Sequence, residues 1–216
     1  MRILVTGGSG VLGRAAMPLL RAEGHVLSAP SRADLDLFDP DAVAEAVAGM
    51  DAVLHLATRI PPPGVGDDRE AWRENDRLRR DASALLVDAA LATAVRVYIQ
   101  PSVTFVYPSH GPVDESTPLV DVPEILRSAL DAEAAVARFA AGGRDGVVLR
   151  LGLLDGPGTD RASSAPRFGV TLHVEDAGHA LVAALSVPSG IYNVCRDGER
   201  VSNERFRRVS GWGPRR

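Results

Sequence analysis

Apolar positions along this chain alternate between short unbroken runs and longer helical stripes. Ile3, Leu4 and Val5 form a run of buried-strand length. The stretch TGGSGVLG follows, and then Ala15, Ala16, Leu19 and Leu20 carry a helical pattern through Glu23. Residues 26–29 read as a second short strand. Residues 40–48 read as a short helix, with Asp39 as its N-cap and Pro40 in its first position. The run AVLHL, residues 52–56, is a third strand, and the Pro- and Gly-rich segment 58–68 is a loop. A long helix is predicted over 69–92, its buried face marked by Leu78, Ala82, Leu85, Leu86 and Ala89. Residues 95–99 form the next strand, followed by a loop through Pro123. A helix over 123–141 ends at Gly142 and Gly143, and residues 147–151 are again a strand. Beyond 152 come a loop, a helix over 174–184, the strand IYNV and a last helix over 203–209.

Strand–helix alternation with short crossovers demands an α/β, doubly wound parallel sheet of Rossmann type, covered by helices on both faces. Its chemistry belongs at the carboxyl ends of the strands. Residues 1–152 are expected to form the dinucleotide-binding domain. Residues 153–216 are expected to form a small substrate-side appendage packed on the strand ends, because about 60 residues bury little surface alone. The glycine stretch then acquires a meaning. Gly7, Gly10 and Gly13 lie between strand and helix, where a tight turn and close approach to a ligand are needed. The backbone N–H groups of Gly10, Val11, Leu12 and Gly13 would face a pyrophosphate at the helix N-terminus. No lysine follows the glycines, so the stretch is not a P-loop.

Composition narrows the picture. The chain has 216 residues and a formal charge of −4, with 24 basic and 28 acidic side chains. That balance gives no support to a nucleic-acid or anionic-membrane partner. Cys195 is the single cysteine, which excludes an intrachain disulfide and fits a reducing compartment. There is no signal-length apolar run and none near the roughly 20 residues of a spanning helix, so a cytoplasmic location is expected. The five histidines and one cysteine show no metal-ligand spacing, and no metal is expected. All the basic residues are arginine; the chain contains no lysine.

After the second strand, Ser31 and Arg32 offer a hydroxyl and a planar fork to a 2′-phosphate, which points to NADP over NAD. Asp34 stands close by as an acceptor for a ribose hydroxyl instead.

The motifs together resemble the extended short-chain dehydrogenase/reductase family, in its sugar epimerase and dehydratase branch. TGGSGVLG is similar to the family's TGGxGxxG, and DLFDP from Asp36 to its Asp-Leu/Val element. HLAT from His55 is similar to HxAA, and Asn75 falls at the family's helix asparagine. QPSVTFVYP from Gln100 is similar to SSxxVYG, LRLGLLDGPG from Leu149 to LRxxxxYGPG, and HVEDAGHALVAAL from His173 to HVxDxAxAxxxAL. YNVCRDGERVS and GWGPRR resemble the family's tail. The resemblance implies cofactor contacts at Gly7, Gly10, Val11, Leu12 and Gly13, and at Asp36 and Leu37 near the adenine. It implies further contacts at Leu56, Ala57, Thr58 and Asn75, the last also positioned to bond the backbone near residue 102.

The departures are as informative. The family catalyses with a Tyr-x-x-x-Lys pair and an upstream Ser or Thr. In PEILRSALDAE, aligned on the family's SKLxxE, Ile125 stands in the tyrosine position and Ala129 in the lysine position. Val103 takes the place of the catalytic serine. Full-length relatives also carry roughly 60 or more residues of substrate domain where this chain has RASSAPRFGVTL. An open cleft, admitting a large substrate or closed by a second copy of the chain, is expected. The remaining polar residues at the family's reaction site are Ser102, Thr104, Tyr107 and His110, the candidates for non-standard catalysis on a small-molecule carbonyl or hydroxyl substrate. Three readings stay open: such an NAD(P)-dependent oxidoreductase or epimerase/dehydratase, a non-catalytic NADP(H)-binding or sensing protein, and a non-redox isomerase or cyclase.

Overall fold

The computed structural model describes residues 1–62, 64–66, 68–159 and 170–216. Its strands are β1 (Arg2–Thr6), β2 (Val26–Ser28), β3 (Ala52–His55), β4 (Val97–Val103), β5 (Asp145–Leu151), β6 (Leu153–Asp155), β7 (Thr171–His173) and β8 (Gly190–Val194). Its helices are α1 (Val11–Ala22), α2 (Pro40–Val47), α3 (Arg69–Arg77), α4 (Ser83–Leu91), α5 (Arg127–Ala141), α6 (Val174–Ala183) and α7 (Glu204–Ser210). Six strands form one parallel sheet in the order β2-β1-β3-β4-β5-β8, the doubly wound arrangement the alternation predicts. The chain leaves β1 toward β2 on one side and returns to β3 on the other. That reversal opens a crevice at the carboxyl ends of β1 and β3.

Each face has its own core. Ile3, Val5, Leu54, Ile99 and Leu149 pack against α1 and α6, and Phe206 and Trp212 join them. Leu4, Val53, Tyr98 and Val148 pack against α2, α4 and α5. Alternate residues of one strand thus serve opposite layers. The strands of such a sheet are apolar on both sides, and their apolar runs are legible without alternation for this reason.

Several features differ from the sequence expectation. First, β8 completes the main sheet beside β5, and α6 packs on α1, so the C-terminal residues are not laid over the strand ends alone. Second, β6 and β7 pair with each other as a separate two-stranded sheet; three residues each is too short to leave a pattern. Third, the long helix is not uniform: a π turn over Leu78–Ala82 joins α3 to α4. The short segment 161–172, expected to be thin, lies largely outside the described residues. β4 runs on to Val103 through Pro101. This is tolerated because pairing with β3 stops at Ile99, leaving Pro101 bonded on the β5 side only.

Helices α1 and α6 cross at Gly178, where a Cβ would stand 2.9 Å from the Ala15 carbonyl oxygen. Gly178→Ala should therefore force the helices apart and cost about 1–3 kcal/mol. The expected signature is a lower urea midpoint at unchanged slope.

Candidate cofactor and reaction site

The glycine turn sits in the crevice. Gly7 has φ +73°, and a Cβ there would lie 2.5 Å from the Ala57 backbone nitrogen, so the turn is pressed against the end of β3. A Cβ on Gly13 would lie 2.3 Å from the Gly8 carbonyl oxygen. The α1 N-cap is Gly10, with no side-chain cap and no acid in the first turn. The N–H groups of Val11, Leu12 and Gly13 thus have no helical acceptor and no capping group. Uncapped donors beside a backbone that admits no side chain fit a dinucleotide pyrophosphate. Arg14 is exposed at this turn and donates to the Ser9 carbonyl oxygen. Its Nη2 lies 2.8 Å from where a Cβ on Gly158 would stand, so it spans from α1 to the 156–159 loop. The sequence reading missed Arg14; a lone arginine in an otherwise apolar first turn was the available signal.

Farther along the crevice, Leu56 is buried, Ala57 half-buried and Thr58 exposed. Asp36 is exposed and accepts the Phe38 N–H, with Leu37 half-buried beside it. Asn75 is buried. Its Oδ1 accepts the Arg59 N–H at 3.1 Å, not a group near residue 102 as expected, because α3 faces the loop after β3. Its Nδ2 is buried without a partner among the described residues, an orphan donor that a bound group would satisfy.

The strand ends differ most from expectation. Ser102, Thr104 and Tyr107 were expected to present hydroxyls to the cleft, but they are only 3%, 0% and 4% exposed. The Ser102 hydroxyl donates to Glu133 Oε1 at 2.6 Å, Thr104 to the Leu151 carbonyl at 3.3 Å, and Tyr107 to Asn193 Oδ1 at 2.9 Å. His110 is exposed on the following loop. The organising group is Glu133 of α5. Arg150 of β5 meets it with two bonds, Nε to Oε1 at 2.9 Å and Nη2 to Oε2 at 2.6 Å. Arg150 also lies 4.9 Å from the centre of the Tyr107 ring. Arg79, in the π turn, is 5% exposed, its charge opposed by burial and favoured by Asp76 and Glu133. Sequence reasoning passed over Glu133, Arg150 and Arg79 because buried charges carry no periodic signal.

These contacts fix the protonation states. Burial pushes the Tyr107 phenol above its usual pKa, against the pull of Arg150, so it remains a donor rather than a base. Burial works against the Arg150 charge, but Glu133 outweighs it and raises its pKa. Burial pushes the Cys195 thiol up to about 12, which leaves it without thiolate at neutral pH. His55 faces a carbonyl, Leu78, at 3.1 Å through Nε2. A carbonyl only accepts, so Nε2 carries the proton and Nδ1 accepts from the Thr6 hydroxyl at 2.6 Å. Ala129 is buried one turn before Glu133 on α5, and Ile125 is half-buried in the 3-10 turn Glu124–Leu126 that precedes α5. Neither position of the usual catalytic pair holds an ionisable group.

A profile of the NAD dependent epimerase/dehydratase family matches residues 3–168. The chain belongs to that family. It is a member of the extended short-chain dehydrogenase/reductase superfamily, and an NAD(P)-dependent oxidoreductase- or epimerase/dehydratase-like activity goes with membership. The 3-diazoavenalumate denitrifying reductase of a Streptomyces species is 36% identical over 241 aligned positions, taking in 91% of this chain and 76% of the relative. The alignment is longer than this chain, so the relative carries insertions that this chain lacks. Among solved structures, MoeE5 in complex with UDP-glucuronic acid and NAD superposes with a TM-score of 0.80 at 19% identity, covering 100% of this chain and 94% of that one. RMD from Pseudomonas aeruginosa, complexed with NADPH, gives 0.80 at 21%, covering 99% and 93%. These likenesses show the shared fold.

The expectation of NADP over NAD is corrected. MoeE5, a superfamily protein from Agrobacterium tumefaciens and the UDP-glucuronic acid 4-epimerase of Bacillus cereus were solved with NAD, against NADPH in RMD. The physical reason lies in this family member's own loop. The fork of Arg32 is already paired with Glu74 at 2.8 Å. The Ser31 hydroxyl is spent on Asp34 at 2.6 Å, and those bonds hold the Asp34 carboxyl below the usual range.

Two outcomes follow from the buried groups. Glu133→Gln leaves Arg150 buried and unpaired, so it should lower stability by about 3–5 kcal/mol, whereas Glu133→Leu with Arg150→Met recovers most of the loss. Denaturant melts of the single and double variants check this. His55 has its pKa lowered to about 4 by burial, partly offset by the bond to Leu78. The unfolded chain therefore binds a proton that the folded one refuses between about pH 6.5 and 4. Stability is full above that window and falls through it by about 3 kcal/mol. His55→Gln should flatten the fall, as read from melts across the window.

Proposed function

We propose that this enzyme uses NAD and transfers hydride to an acceptor that needs no proton from the protein, an aryl diazonium being the substrate class. The observation that carries this reading is the lack of a proton donor at the three family positions, with His110 exposed on the loop after β4 and outside them. Ile125, Ala129 and Val103 occupy the three family positions, and no lysine exists to replace the missing one. The nearby hydroxyls are committed to internal partners. Reduction of a ketone leaves an alkoxide that must be protonated, and losing the general acid typically costs 10²–10⁴-fold. A diazonium makes no such demand. Bound reduced dinucleotide supplies the hydride: a C–H bond forms, the C–N bond breaks, and its electron pair leaves with dinitrogen, so no proton is taken up.

The chain's own residues then have binding and positioning work only. Val11, Leu12, Gly13 and Arg14 hold the pyrophosphate, and Asp36, Leu37, Leu56, Ala57, Thr58 and Asn75 line the remainder of the dinucleotide site. Ser102 and Tyr107, locked through Glu133, Arg150 and Asn193, keep the end of β4 in place, and Thr104 ties it to β5. Tyr107, Val113, Val170, Cys195 and Val201 pack into a buried apolar cluster whose cysteine carries no thiolate. The denitrifying reductase, whose name states loss of nitrogen from a diazo compound, supports this substrate class.

The test is purified protein with C4-deuterated NADH and an aryl diazonium salt, beside a protein-free control. Deuterium should appear on the ring carbon that lost nitrogen, at a rate well above the control. A rate equal to the control, or turnover confined to carbonyls or sugar nucleotides, overturns the reading. Tyr107→Phe should reduce turnover by less than about tenfold, below the loss expected on removing a general acid.

A further inference from the structure

Glu74 of α3 grips two arginines that are remote from it in sequence. Arg32 Nη1 lies 2.8 Å from one carboxylate oxygen, and Arg59 Nε lies 3.7 Å from the other. Arg32 belongs to the loop after β2 and Arg59 to the loop after β3, the two loops on either side of the β1 crevice end. The next residue on α3, Asn75, holds the Arg59 backbone N–H at 3.1 Å. Helix α3 therefore fastens one loop by backbone and side chain and the other by side chain alone.

We propose that Glu74 is a cofactor-selecting residue, holding Arg32 in an ion pair so that the chain discriminates against a dinucleotide bearing a 2′-phosphate. The proposal rests on the NAD reading above. An arginine after the second strand is the residue type that accommodates a 2′-phosphate. To do so here, Arg32 must leave a carboxylate that competes for the same planar fork. The phosphate must also approach two acids, Glu74 and the ionised Asp34, at 3.0 Å from the Ser31 N–H. With 82% of its side chain exposed, Arg32 is held only by a surface pair, so Glu74 biases the choice and does not block it. A cofactor without the phosphate asks nothing of Arg32 and leaves the pair intact.

The experiment is calorimetric titration of the full chain with NAD and NADP, without turnover, for the natural protein, Glu74→Gln, Arg32→Ala, the double variant and Arg59→Gln. Glu74→Gln should tighten NADP by about fivefold, the size of a good surface ion pair, and leave NAD within about twofold. In the Arg32→Ala background the same change should do much less, because the freed fork is gone. Arg59→Gln should leave the NAD-to-NADP ratio unchanged. Equal shifts for both cofactors, or an undiminished gain without Arg32, overturn the role of Glu74. Tighter binding of NADP than NAD by the natural protein instead overturns the NAD reading on which it rests.

Discussion

The bidentate pair between Glu133 and Arg150 is the constraint on which the reaction end of the sheet depends. It joins α5 to β5, receives Ser102 from β4, and places a cation beside the Tyr107 ring. Two buried charges are costly, and such a pair is stable only when further hydrogen bonds satisfy the remaining lone pairs. Here Ser102 supplies one. Three elements and the loop carrying Tyr107 are locked by side chains that are unavailable for acid–base chemistry as long as the lock holds. The same bonds that build the site therefore decide what it can do.

That explains how a family fold can persist with its usual proton-transfer groups gone. The glycine turn, the reversal of strand order and the uncapped start of α1 are backbone features, and the dinucleotide contacts they offer ask little of side chains. The reaction end depends on particular side chains, and there Ile125 and Ala129 offer neither a phenol nor an amine. Binding and proton transfer are separable because they are carried by different parts of the molecule.

The fold was legible where backbone requirements leave a compositional mark. Ile3–Val5, the glycines after them, and the apolar runs of β3, β4 and β5 each report a buried parallel strand or a turn. The strands β6 and β7 left no mark, being too short for any period, and β8 was read as a strand but not as a member of the main sheet. Partnering depends on long-range packing, which no local window contains. At the site, the residue types were legible but their directions were not. Ser102, Thr104 and Tyr107 were placed at the correct strand end, yet their hydroxyls turn inward toward Glu133, Leu151 and Asn193. Arg32 was a fork without a known occupant until Glu74, far along the chain, was seen to fill it.

The packing of α6 on α1 has a consequence for how the chain is made. Residues 11–22 are synthesised first, yet their apolar side is covered by residues 174–183. During synthesis Ala16 and Leu20 can meet Ile3, Val5, Ala52 and Leu54 early, but their contacts with Ala177, Ala180 and Leu181 wait for residues 174–183. The opposite layer closes earlier, since α2 and α4 meet within the first half of the chain. One face of the nascent sheet thus gains two helices early, while the other has α1 alone until α6 is made. Contacts of such sequence separation close slowly and leave an intermediate open to association. The ribosome-bound chain would present the side of α1 that α6 later covers to chaperones.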